Sequence, residues 1–360
     1  MSLLFPSLHF RYLSTHYAKN LLAILLGLSF TFAFIDYFQH IEHLEGSLNS
    51  KILYVFYMWQ SSLGMLYPLA IVFAVIMTKL ALVKQNTMGV LHAFGYTKRK
   101  LFFPIFVVAF STYLLFLYLH TTSFSYSRDK AKMLLENHGY SYHVNDLFFK
   151  YNDTFVYIKK LDPIKKQITD MTIFNVEGNR VSYTIRAPEA RFSGEEWIAQ
   201  NATVKTHHYA DGVLTHYTVE KRKRVVTLQG YKPKIIESLY EGKSLNVIDA
   251  YNTWKLLRIQ HLNSDKIRAA IYDKVIVPLF ALALAIILFF KLPFHARMMN
   301  LGGVIALSLG MTFLIWGVLF GLAQIGSNGV LLPELTAIVP ILLLWIYALY
   351  LFFTNERKVS

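Results

Sequence analysis

Four charged sites in this sequence could do chemistry. Arg128, Lys130 and Lys132 set three cations within five residues, a density that suits phosphate oxygens through charge-assisted hydrogen bonds. The same residues suit an ordinary interfacial anchor where a chain leaves a bilayer. Lys221-Arg222-Lys223-Arg224 lies in an alternating, strand-like stretch, which puts two cations on each face. It fits a solvated edge strand that resists aggregation, and also contact with an anionic partner. Asp36 and Asp273-Lys274 are ionisable groups at the ends of apolar runs, where charge is cheaper than at membrane depth. Asp273-Lys274 reads as a helix-end ion pair, and Asp36 stands open between function and anchoring.

Catalytic constellations are missing. The sequence has no Walker A loop, no G-x-S-x-G and no H-E-x-x-H. His207-His208 falls in a strand-like stretch, where neighbours point to opposite faces, so no metal pair is expected. The acids Asp129, Glu136 and Asp146 form no recognisable catalytic set. Neither cofactor nor metal is expected, and cysteine is absent, which excludes disulfides and thiolate sites.

The elements that must position these groups are unusual. Of 360 residues, 54% are hydrophobic, and the apolar excess sits in segments 21–38, 63–83, 101–119, 271–290, 301–325 and 335–353. Each approaches the ~20 residues that cross a ~30 Å hydrocarbon core. The first lacks a cleavage pattern and is expected to remain in the mature chain. Between the third and fourth lies a charged stretch with 23 Lys and Arg against 16 Asp and Glu over residues 125–270.

The fold class expected is a polytopic α-helical membrane protein with six transmembrane helices, three on each side of an inserted β-jellyroll-like domain. Residues 1–121 form the N-terminal membrane half, 122–268 the inserted domain and 269–360 the C-terminal half. The short loops set orientation. Arg11 and Lys19, then Lys84 and Lys98–Lys100, then Lys291 and Arg297, then Arg357 and Lys358 all fall on one side. Both termini are therefore expected in the cytoplasm and the inserted domain in the periplasm. The net charge of +14 is read toward an anionic lipid, with no nucleic-acid partner.

Residues 1–20 are expected to form an interfacial helix. Residues 84–100 are too polar to span and too apolar for a free loop, and read as carrying a cytoplasmic surface helix at 84–96. There Met88, Leu91, His92 and Phe94 share a face, and Gly95 is the stop. In the inserted domain, alternating segments are broken at Asp162-Pro163, Glu177-Gly178-Asn179, Ala187-Pro188, Ser193-Gly194 and Asp211-Gly212, which suggests a sandwich or jelly roll. Ser244 is the expected cap of a helix bearing Leu245, Ile248, Tyr251, Leu256 and Ile259. Pro278, Pro293, Pro333 and Pro340 punctuate the last three spans. Gly310, Gly317 and Gly321 share a face of the fifth span, for internal packing or for a partner subunit.

These residues in this order resemble the LptF/LptG permease family, the membrane subunits of the lipopolysaccharide exporter. The resemblance covers essentially the whole chain. It runs through Arg11-Tyr12 and Leu91–Tyr96, then Trp197 with Ala202, then Asp273-Lys274 with Pro278-Leu279, then Leu332–Leu335 with Pro340. It implies a non-catalytic permease subunit that takes lipopolysaccharide from the outer leaflet of the inner membrane. The partners implied are a second LptF/LptG-type permease, a cytoplasmic ABC ATPase dimer and a periplasmic bridge protein of jellyroll type. Thr87, Val90, Leu91, His92, Phe94 and Gly95 would form the ATPase-coupling helix. Asp36, Arg128, Lys130 and Lys132 would meet the lipid headgroup, and Gly310, Gly317 and Gly321 the gate or subunit interface.

Two departures stand out. Thr87 and His92 occupy places where the family's coupling helix usually carries Glu and often Arg. Asp36 occupies a place where some members carry a cation. Phe34–Tyr37 favours the LptG type. The competing readings are a membrane enzyme acting on lipids or glycans, and a membrane-anchored scaffold.

Overall fold

The computed structural model describes residues 8–42, 44, 47–135, 144–151, 154–163, 165–177, 180–210, 213–233, 236, 245–259, 263–294 and 300–354. Glu136, Ser244, Arg297, Arg357, Lys358 and the turns at Gly178-Asn179 and Asp211-Gly212 lie outside them. The chain divides into a membrane unit, Met1–Ala131 with Asp265–Ser360, and a sheet unit, Lys132–Ser264.

Among the described residues, six helical segments of the membrane unit are long and apolar enough to cross a bilayer. They comprise α1 (Leu8–His40), α2 (Leu48–Lys84), α4 (Lys98–Leu119), α7 with α8 (Asp265–Val275, Leu279–Lys291), α9 (Leu301–Ser327), and a π-turn at Glu334–Ile338 leading into α10 (Val339–Thr354). The short α3 (Thr87–Ala93) joins α2 to α4, and α5 (Ser127–Leu135) follows α4. From Leu8 onward, the expected interfacial helix is instead continuous with span one. No proline stands between Leu8 and His40, so helix propagation carries straight through.

Burial differs sharply between helices. Every residue of α8 from Phe280 to Phe290 is buried. On α1 only Leu13, Tyr17, Leu21, Leu25, Ser29 and Ala33 are buried, a ridge of every fourth residue of the kind that packs into a neighbour's groove.

Prolines inside the spans free carbonyls that hydrocarbon cannot solvate, and polar side chains take them. Pro68 removes the donor for the Gly64 carbonyl, and the His120 ring packs beside Gly64. Gly64 permits this approach, since a Cβ would stand 2.9 Å from the Phe124 ring. Pro278 breaks span four between α7 and α8, and the Tyr113 hydroxyl donates to the Val275 carbonyl at that break, at 2.9 Å.

The sheet unit holds β1 (Val144–Tyr151), β2 (Thr154–Asp162), β3 (Gln167–Glu177), β4 (Arg180–Ser193), β5 (Glu196–Ala210) and β6 (Val213–Thr227). They form one antiparallel sheet in sequential order, a meander with no crossing connection among the described strands. The jellyroll-like expectation thus resolves into a single sheet with a transverse bend. Asp146, Asp170 and Asn201 adopt left-handed backbone, φ 54°, 54° and 52°, on alternate strands. In the register they face Lys159, Pro188 and Lys223, and the ladder skips this row on every strand. Asp and Asn tolerate that conformation better than other side chains.

The bend changes the spacing of the core. Buried residues step by two, then by three across the bend: Val156, Ile158, Leu161 on β2 and Trp197, Ala199, Ala202 on β5. One face therefore stays inside on both sides of the bend. Ala187-Pro188 is consequently no strand break. Pro188 sits in the skipped row, where its missing N–H costs no ladder bond. Trp197 and Ala202 are both fully buried, and the indole donates to the Tyr231 carbonyl at 2.6 Å.

After the sheet, α6 spans Val247–Ile259. The Asn246 side chain accepts from the Asp249 N–H at 2.6 Å, so Asn246 caps this helix. Its buried face is Ala250, Thr253 and Leu257, and the expected Ile248, Tyr251 and Ile259 are exposed.

Candidate functional site

The helix α3 is short because both ends are fixed. It ends in a Schellman arrangement: Gly95 N–H donates to the His92 carbonyl at 2.9 Å and Tyr96 N–H to the Leu91 carbonyl at 3.2 Å. Gly95 adopts φ +83°, which explains glycine at this stop. Met88 is buried and Leu91 packs against the membrane core, while Val90 is 51% and Phe94 77% exposed. The expected single face splits accordingly. The inward residues are Met88 and Leu91, and the outward apolar pair is Val90 with Phe94, four residues apart. Thr87 opens the helix half-buried, and the His92 ring is turned to the Tyr96 carbonyl at 3.1 Å. Two apolar side chains held outward on a rigid turn beside Lys84 and Lys98 suit the groove of another protein better than solvent.

At the opposite ends of α1 and α2, the Asp36 carboxylate accepts from the Tyr54 hydroxyl, and His40 Nδ1 lies 3.5 Å from it. Asp36 therefore ties α1 to α2. Beside this tie, Lys130 Nζ stands 5.4 Å from the centroid of the Tyr57 ring, and exposed Arg128 lies within electrostatic reach of Tyr54. Lys132 follows Arg128 by one turn of α5 and is exposed. Lys274 is within electrostatic reach of both Asp273 and Asp129. A second tie escaped the sequence reading. Arg268 on α7 donates to Asp265 and Glu334, and the Tyr272 hydroxyl donates to Glu334 at 2.9 Å, fastening spans four and six.

The His207-His208 pair holds no metal geometry. His207 Nε2 meets the Thr184 hydroxyl at 3.3 Å, and His208 Nε2 meets the Thr218 hydroxyl at 3.1 Å. Among the described residues no group of three metal-ligating side chains occurs. Asp146 accepts from the Tyr157 hydroxyl at 2.6 Å. The cation run Lys221–Arg224 lies on β6, an edge strand, exposed throughout, with Arg222 paired to Glu220.

The α9 helix has almost no cover. Leu307, Leu314 and Phe320 are 75%, 66% and 56% exposed. A Cβ built on Gly310, Gly317 or Gly321 would meet nothing within 4 Å among the described residues. Internal packing thus does not account for these glycines. On α1, Leu22, Phe30, Phe34 and Phe38 are likewise exposed.

A family model described as the lipopolysaccharide export system permease LptF/LptG matches residues 11–353. The chain belongs to the LptF/LptG family. No individual curated protein matches it. As an LptF/LptG member with six spans and an inserted antiparallel sheet, it is a lipopolysaccharide export permease and a multi-pass inner-membrane protein. Within that role, the sequence reading overlooked the charges hidden inside apolar segments, Lys79 above all. A lone lysine in the run Val75–Val83 was the available signal.

Proposed function

We propose that this LptF/LptG chain, as the LptG-type member, pairs with a second permease on a cytoplasmic ATPase dimer. ATP is hydrolysed on the ATPase, and this chain supplies the path and the coupling. Both termini and α3 lie in the cytoplasm, where Val90 and Phe94 enter a groove of the ATPase. Lipopolysaccharide enters from the outer leaflet between the uncovered faces of α1 and α9 and their counterparts. Arg128, Lys130 and Lys132 meet its phosphates at the outer end, with Asp36 holding the α1–α2 frame behind them. The lipid then passes along the sheet unit to a jellyroll bridge, for which the exposed edge strand β6 offers a pairing surface.

The observation that carries this reading is the open face of α9, where Gly310, Gly317 and Gly321 meet nothing within 4 Å among the described residues. Small residues on a bare helix allow close approach of another helix and its easy release. The test is affinity purification from gently solubilised native membranes. A second six-span permease and a cytoplasmic ATPase are expected to accompany the chain. A chain recovered alone, or with soluble periplasmic proteins only, would overturn the proposal.

A further inference from the structure

Two cations fasten the halves of the membrane unit at the end that bears α3. Lys79 on α2 is fully buried. Its ammonium donates to the carbonyls of Phe289 and Leu292 in the last turn of span four, and lies 4.8 and 4.1 Å from the centroids of the Phe289 and Phe294 rings. Among the described residues no carboxylate pairs with it. The final carbonyls of a helix have no intrahelical donors and carry the negative end of the helix dipole. A buried ammonium needs such acceptors, and the two ring faces add to its solvation. Each partner supplies what the other lacks.

Arg99, near the start of α4, repeats the arrangement on span six. Its guanidinium donates to the carbonyls of Phe352 and Phe353 at 2.7 and 2.9 Å, and stands 5.0 and 5.4 Å from the centroids of the same two rings. The helix α3 sits between these contacts in sequence. The helix before it grips the end of span four, and the helix after it grips the end of span six.

We infer that Lys79 and Arg99 are positioning residues that lock α2–α3–α4 to the ends of spans four and six, so that a push on α3 moves both membrane halves together. The inference rests on the reading of α3 as the ATPase-docking helix. Apolar replacements would still pack, but four helix-end carbonyls would lose their donors and the two halves could slip past each other.

The test uses the complex of chain, partner permease and ATPase in liposomes containing lipopolysaccharide, with ATP hydrolysis and lipid release measured together. In Lys79→Met/Arg99→Met, the ATPase is expected to remain bound and hydrolysis to persist. Lipid released per ATP is expected to fall about tenfold, within the range over which network positions modulate coupling. Lys79→Arg should recover part of the loss. An unchanged ratio in the assembled double variant would overturn the inference.

Should the double variant fail to assemble, spin labels decide, because the chain has no native cysteine. Labels at Lys84→Cys and Lys291→Cys are expected to give one narrow distance in both nucleotide-free and ATP-bound states. A distance that changes between those states contradicts the lock. If the unaltered chain brings down no ATPase, the docking reading fails instead. The lock is then judged by the labels alone, narrow with Lys79 and broadened in Lys79→Met.

Discussion

The helices α8 and α9 are both almost wholly apolar, yet the chain treats them oppositely. Phe280 to Phe290 are all buried. On α9 the buried side is a thin line of Ser308, Thr312, Leu319 and Gly326. In water such a difference would be written in polarity, because an exposed face must be solvated. In a bilayer lipid solvates both, so apolarity marks the span and says nothing about its neighbours. The small polar pair Ser308 and Thr312 marks the side of α9 that meets its own chain. Gly310, Gly317 and Gly321 lie on its exposed side, where a Cβ would meet nothing within 4 Å among the described residues.

That contrast can be broken most forcefully by cavity formation. Leu284→Ala on α8 should cost about 2–4 kcal/mol in the melting of the chain alone, as for a buried leucine elsewhere. Leu314→Ala on α9 should stay within about 0.5 kcal/mol. Equal losses would mean that α9 is covered within the chain.

Next in size, Val90→Asp with Phe94→Asp should weaken retention of the ATPase by roughly a hundredfold, the scale of hot-spot residues, with the melting of the chain unchanged. Full retention would remove α3 from the docking surface. The Gly317→Leu variant sharpens the comparison at its open face. Pairing with the second permease should weaken about tenfold, near 1.4 kcal/mol, while the chain alone folds normally. Co-purification ratios at graded detergent dilution measure both.

The smallest effect concerns pH. Burial, with help from nearby Lys274, lowers the pKa of His120 to about 4. An unfolded histidine titrates near 6.5. Between those values the unfolded chain binds the extra proton and the folded chain does not. Stability from this site is therefore complete above about pH 6.5 and declines as pH falls toward 4. In His120→Gln that acid slope should be shallower, as thermal melting at pH 7 and pH 5 would report.

Much of this fold was legible in the sequence, and the gaps have physical causes. Span lengths follow from hydrocarbon thickness, and alternation located β2 to β6. The bend was hidden because Asp146, Asp170 and Asn201 resemble turn formers when read singly. Only the register shows them facing one row across the sheet. Pro188 misled for the same reason. On α3, seven residues give too few turns for a reliable face, so Leu91 was grouped on one face with Phe94, whereas it packs inward and Phe94 is exposed. Lys79 was passed over and Arg99 was weighed only as charge, and their partners are carbonyls about 210 to 254 positions away, which no local pattern reveals.

The most direct test of the open α1 and α9 faces is site-specific photo-crosslinking in living cells. The probe would be placed at Phe34 on α1, at Leu314 on α9 and at Ile346 on α10, all three exposed. The account predicts adducts with lipopolysaccharide or the second permease from α1 and α9 that depend on a functional ATPase, and none of that dependence from α10. Equal, ATPase-independent labelling at all three positions would contradict it.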